Sequence, residues 1–104
     1  VKIAVYTIAK NEEQFVERWA NSCSEADYRF ILDTGSTDRT VELADRFGIE
    51  VAVASVNPWR FDDARNVSLA LLPDDIDLCI ALDMDEVLVP GWRQALEKIK
   101  PETT

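Results

Sequence analysis

Apolar and polar positions come in alternating blocks, and the spacing of the apolar residues switches between short extended runs and helical periods. Residues 2–8 (KIAVYTI) read as a strand. Asn11-Glu12-Glu13-Gln14 then has the form of a helix start, with Asn11 as N-cap and Gln14 three residues on. Phe15, Val16, Trp19 and Ala20 recur at helical spacing up to about Ser22. Residues 28–32 (YRFIL) predict a second strand, and Thr34-Gly35-Ser36-Thr37-Asp38 a turn into a helix over 39–47, with Gly48 as its left-handed stop. Residues 50–54 (EVAVA) predict a third strand. Pro58 marks a loop, and a helix begins near Asp62 and ends before Pro73. Residues 77–82 (DLCIAL) form a nearly all-apolar strand, the pattern of a sheet centre. Pro90-Gly91 opens a last helix that places Trp92, Ala95, Leu96 and Ile99 on one face.

Four strand–helix units in succession predict an α/β fold: an open, mostly parallel sheet with helices on both faces. The 104 residues read as a single domain, 1–104, with no repeat or linker. Such sheets bind ligands beyond the carboxyl ends of their strands, where the strand order reverses. With the order 3-2-1-4, three polar clusters line one crevice: Lys10 to Glu13, Asp33 to Asp38, and Asp83 to Glu86.

The last cluster carries the sharpest chemistry. Asp83 and Asp85, two apart on an extended chain, project to the same side, and Glu86 is adjacent. Carboxylates packed this closely repel unless a cation lies among them. Hard oxygen donors suit Mg²⁺ or Mn²⁺, ions that complete their shells with substrate phosphate. The other reading is a solvated acidic turn; position directly after an apolar strand favours the metal. Gly35 to Asp38 fits either a phosphate cradle or an ordinary helix cap. Lys10 is either a surface charge or a residue facing the ligand. Arg65, in the first turn of the third helix, is either an ion-pair partner or a bidentate contact to phosphate or base. Trp59 and Phe61 read as packing residues of the preceding loop.

Composition narrows the classes. Eleven basic against twenty acidic residues give a net charge of −9, which disfavours nucleic acid as a partner. The chain has no histidine, which excludes histidine zinc sites and a histidine general base. Cys23 and Cys79 form no C-x-x-C pair and lie in apolar segments, the pattern of reduced core thiols. No apolar run approaches the ~20 residues of a membrane span, and no leader is evident. The expected setting is cytoplasmic, with peripheral membrane attachment open.

Together, AKNEE (9–13), LDTGSTDRTVELA (32–44), FDDARN (61–66) and ALDMDEVL (81–88) resemble the family 2 glycosyltransferases of the GT-A fold, in order and spacing over nearly the whole chain. The DTGSTD form with W-x-F and ARN is similar to a bacterial branch acting in cell-surface or peptide glycosylation. The resemblance implies the nucleotide-binding, Rossmann-like half of a GT-A enzyme. It further implies a nucleoside-diphosphate sugar donor, UDP-sugar first, and a saccharide, lipid or peptide acceptor. Ile8, Lys10 and Asn11 would then contact base and ribose, and Asp33 and Thr34 would lie beside the base. Thr34 stands where many members carry a second acid. Arg65 would contact the nucleotide, Asp83 the ribose or metal, and Asp85 the metal on the diphosphate. The acceptor-activating carboxylate of inverting members is expected outside these residues. Two other classes fit less well. A sugar nucleotidyltransferase opens with a glycine-rich loop where AKNEE stands, and a receiver-type binding module needs an acid where the third strand ends in Ala54-Ser55. A non-catalytic nucleotide- or metal-binding interaction domain shares every motif.

Overall fold

The computed structural model describes residues 2–54 and 61–98; the side-chain surroundings of 61–63 and 65 lie outside that description, as do Pro58, Trp59 and Ile99. The elements alternate as the pattern predicts: β1 (Ile3–Ala9), α1 (Glu13–Ser22), β2 (Tyr28–Asp33), α2 (Thr40–Arg46), β3 (Glu50–Val53), α3 (Phe61–Leu71), β4 (Leu78–Ala81) and α4 (Trp92–Glu97). The strands form one parallel sheet in the order β3-β2-β1-β4, as expected.

Side chains alternate along β1 and β2 and so divide the core into two layers. On one face Ile3, Val5 and Ile31 pack with Val16, Trp19 and Ala20 of α1, Ala44 of α2 and Trp92 of α4. On the other, Ala4, Tyr6, Phe30 and Leu32 pack with Ala64 of α3 and with Leu72. Both faces of the central strands are therefore covered, which is why they read as unbroken apolar runs. Full burial of side chains such as Trp19, Ile31 and Leu32 stabilises the fold by ~1.5–3 kcal/mol each.

Three expectations change. The apolar strand predicted for a sheet centre is β4, which lies at the sheet edge with Leu78, Cys79 and Ala81 exposed. Among the described strands β4 pairs with β1 alone. Cys79 is accordingly an exposed thiol rather than a core one. Cys23 is buried as predicted: its Sγ donates to the Trp19 carbonyl, and burial pushes its pKa up to about 11. Finally, α4 buries Trp92 and half-buries Leu96, but Ala95 faces solvent.

Candidate functional site

Register brings the carboxyl ends of the strands to one edge. Ala9 lies opposite Asp33, and Asp33 opposite Val53. Past the paired residues, Thr34 N donates to Ala9 O at 3.0 Å and Leu82 N to Tyr6 O at 3.0 Å. The segments after β1, β2 and β4 thus leave the sheet side by side, as the strand order requires.

The first two segments are stapled together. Asn11 has φ of 54°, the one left-handed non-glycine residue among those described. Asparagine tolerates that conformation better than most side chains. Its N–H donates to Ser36 Oγ at 2.8 Å, and its Oδ1 accepts Thr37 N–H at 2.8 Å. The expectation that Asn11 caps the first helix is therefore corrected: the N-cap is Glu12, and its side chain forms no capping bond. Instead the two helix starts cap each other. Glu12 N donates to Thr40 Oγ1 at 2.9 Å and Glu13 N to Asp38 Oδ2 at 3.2 Å. In return Arg39 N donates to Glu13 Oε2 at 3.3 Å, while Thr40 N donates to Asp38 Oδ1 at 2.9 Å. Orphan amides at a helix start need acceptors; with two starts adjacent, α1 finds its own on Asp38 and Thr40, while α2 draws one from Glu13 and one from Asp38 of its own loop.

Asp33 is buried, 1% exposed, and organises the second loop. Its Oδ2 accepts Gly35 N–H at 3.1 Å and Ser36 N–H at 2.8 Å, and its Oδ1 accepts the Ser36 hydroxyl. Gly35 has φ of 119°, and a Cβ there would meet nothing within 4 Å. Backbone conformation, not a close neighbour, requires the glycine. The amides of Gly35, Ser36, Thr37, Arg39 and Thr40 all serve protein acceptors. The cap of α2 is Arg39, without a side-chain capping bond, and these amides serve protein acceptors rather than standing as an open row. Asp38 titrates below the ordinary carboxylate range: burial works upward, but hydrogen bonds from Thr40 and Glu13 outweigh it.

Around this frame, Ile8 and Thr34 are half-buried and Lys10 is exposed, with no ion pair to any described residue. Arg65 lies in the first turns of α3; its side chain is outside the description.

After β4, Met84 turns into the core, 3% exposed, while Asp83 and Asp85 on either side are exposed. Glu86 does not join them. Its Oε1 accepts Asp83 N–H at 3.1 Å, and Glu86 N donates to Asp83 O at 2.9 Å, closing a tight turn. Among the described residues no three His, Cys, Asp or Glu side chains cluster closely enough to cage a metal. No buried side-chain nitrogen or oxygen among them lacks a partner either. The free donors here are two hard carboxylates, Asp83 and Asp85. That set suits Mg²⁺ or Mn²⁺ arriving with a diphosphate, since these ions keep one or two carboxylates and take the rest from phosphate and water.

Sequence reading missed the residues that hold this turn. Trp19 Nε1 donates to Leu82 O at 2.9 Å, and Arg18 Nη2 donates to Asp85 O at 2.9 Å. Both lie on α1, more than sixty positions away, and no local pattern links them to it. Ser36 and Asp38 were visible only as possible caps of their own helix, and Thr40 carried no signal.

The order β3-β2-β1-β4, with an acidic D-x-D turn beside the loops of β1 and β2, defines a Rossmann-like half-domain of the GT-A glycosyltransferase type. Comparison with known proteins agrees. A curated Rickettsia bellii protein described as an uncharacterized glycosyltransferase is 41% identical over 99 residues, covering 94% of this chain and 32% of that protein. Glucosyl-3-phosphoglycerate synthase from Mycobacterium tuberculosis, solved with Mn²⁺, UDP and glucosyl-3-phosphoglycerate, is 31% identical, with a TM-score of 0.68 over 81% of this chain and 33% of that one. S. aureus TarS (1–349), 19% identical, shares the fold with a TM-score of 0.80 over 93% of this chain and 31% of that one. No protein-family model matches. By sequence and fold the chain is similar to glycosyltransferases over most of its residues, and it spans about a third of the length of the relatives it matches.

Proposed function

We propose that this chain is the donor-binding part of a metal-dependent family 2 glycosyltransferase that uses a nucleoside-diphosphate sugar. One observation carries the reading: the turn after β4 buries Met84 and leaves Asp83 and Asp85 as two exposed carboxylates at the carboxyl end of the strand next to β1. In a chain of net charge −9, a diphosphate meets repulsion at that turn unless a cation screens it. Asp85, with Asp83, would hold that divalent ion. When bound, it supplies Lewis-acid stabilisation of the departing diphosphate.

The remaining roles fall to the chain's own groups. Ile8, Lys10 and Asn11 border the base and ribose, with Asp33 and Thr34 beside the base. Asp33 also fixes the loop that shapes this pocket, because both its oxygens are held by Gly35 and Ser36. Lys10 offers a mobile positive charge, and Arg65 a planar one suited to bidentate contact. UDP is the first donor nucleotide to test, since the M. tuberculosis relative was solved with UDP and Mn²⁺. The acceptor is a saccharide, lipid or peptide; no residue of this chain is assigned to deprotonate it. Membrane attachment would be peripheral in a cytoplasmic setting; among the described residues no helix is long and apolar enough to cross a membrane.

Calorimetric titration of UDP and UDP-sugars, with Mn²⁺ and with chelator, tests the reading. Affinity is expected to rise at least tenfold with Mn²⁺, and Asp85→Asn to abolish that rise while Asp45→Asn on α2 leaves it intact. Equal UDP affinity in chelator, or full metal dependence in Asp85→Asn, would overturn the metal assignment.

A further inference from the structure

Resting on the metal reading above, we infer that Arg18 of α1 is a positioning residue for Asp85, holding the metal-binding turn from behind through the peptide backbone. The turn is fixed at four points. Trp19, fully buried, donates its indole N–H to the Leu82 carbonyl where the chain leaves β4. Met84 fills the same core cluster as Trp19. Glu86 closes on Asp83 through its carboxylate and its amide. Arg18 then fixes the far end through the Asp85 carbonyl. Successive residues of one helix thus grip both ends of the turn.

Arg18 is suited to the task by what it does not bind. Its guanidinium lies 5.2 Å from the centroid of the Phe15 ring, one helical turn back, which steers the long side chain toward the turn. It donates to the carbonyl of Asp85 and forms no ion pair with a carboxylate among the described residues. The Asp85 carboxylate therefore stays free for a cation, while its backbone is held by a charge-assisted bond. A positive group behind the turn also eases the repulsion among Asp83, Asp85 and Glu86. Outer-shell contacts of this kind orient metal ligands, and their loss typically costs metal affinity ~10–100-fold. Because the bond is exposed, the low end applies.

The test is Mn²⁺ binding by electron paramagnetic resonance, in the full chain at saturating UDP, for wild type, Arg18→Met, Arg18→Lys and Asp85→Asn. Arg18→Met keeps an apolar stem over Phe15 and removes the donors. It is expected to weaken Mn²⁺ binding about tenfold, with metal-free UDP binding and melting temperature near wild type. Arg18→Lys, which retains one charged donor, should recover most of the loss. If Arg18→Met binds Mn²⁺ as wild type does while Asp85→Asn loses it, the positioning role is wrong and the donor-site reading survives. If Arg18→Met lowers metal-free UDP binding and melting temperature in step with Mn²⁺ affinity, Arg18 is only a general structural contact. If wild type takes up no Mn²⁺, or Asp85→Asn binds it normally, both readings fall.

Discussion

Replacing Asp38 by alanine should destabilise two helices at once. Its carboxylate accepts Thr40 N–H and the Thr40 hydroxyl at the start of α2, and Glu13 N–H at the start of α1. Loss of a side-chain cap costs ~1 kcal/mol per helix, and loss of the negative charge at two positive helix ends adds a few tenths to ~1 kcal/mol. The expected loss is therefore about 2–3 kcal/mol, or ~10–15 °C in melting temperature for a domain of this size. Asp38→Asn, whose single amide oxygen serves one helix start but not both, should lose about half as much. Urea titration reads the loss as a lower midpoint at constant slope. Hydrogen exchange gives the sharper measurement: the Glu13 amide, on a different helix from the mutation, should exchange faster. A loss below ~0.5 kcal/mol, the ordinary surface range, or faster exchange confined to α2, would refute the mutual-capping argument. The pH dependence has a definite sign. The folded pKa of Asp38 is depressed, so its contribution is present above the unfolded value of ~4 and fades as pH falls through the lower folded value. Asp38→Asn should flatten that acid limb.

Thiol titration with an aromatic disulfide near pH 8 should show one fast equivalent, Cys79, and one slow one, because Cys23 is buried and its pKa is raised to about 11; two equally fast thiols would mean the α1 face is open. At Asn11, glycine should be tolerated better than alanine by ~1 kcal/mol, since both lose the Thr37 bond but only glycine relieves the left-handed backbone; equal melting temperatures would remove the conformational argument. Arg65→Ala should weaken UDP binding more than Arg46→Ala, an exposed arginine in the last turn of α2 that serves as a charge-matched control. Arg93 is unsuited to that use, because it bridges Asp27 and Glu97 and donates to the Glu25 carbonyl. Equal calorimetric effects of the Arg65 and Arg46 substitutions would leave Arg65 without a nucleotide role.

Local sequence determined the elements, because strand and helix periods are set by a few neighbouring residues. KIAVYTI, YRFIL and EVAVA became β1, β2 and β3, and Gly48 ended α2 with φ of 74°. Strict alternation of strand and helix was enough for a parallel sheet, and the D-x-D motif after an apolar strand pointed to the acidic turn. What the chain does across distance was not legible. Asn11 had the identity of a helix cap, yet its acceptor went to Thr37, because the starts of α1 and α2 meet at one sheet edge. Glu86 read as a third carboxylate adjacent to Asp83 and Asp85, and the turn bends it back to the Asp83 amide. The apolar strand β4 read as central; among the described strands it pairs with β1 alone. Arg18 and Trp19 reach the turn only once α1 packs on the sheet. Periodicity is a property of adjacent residues and survives in the linear chain; a hydrogen bond across more than sixty positions exists only after the layers are assembled.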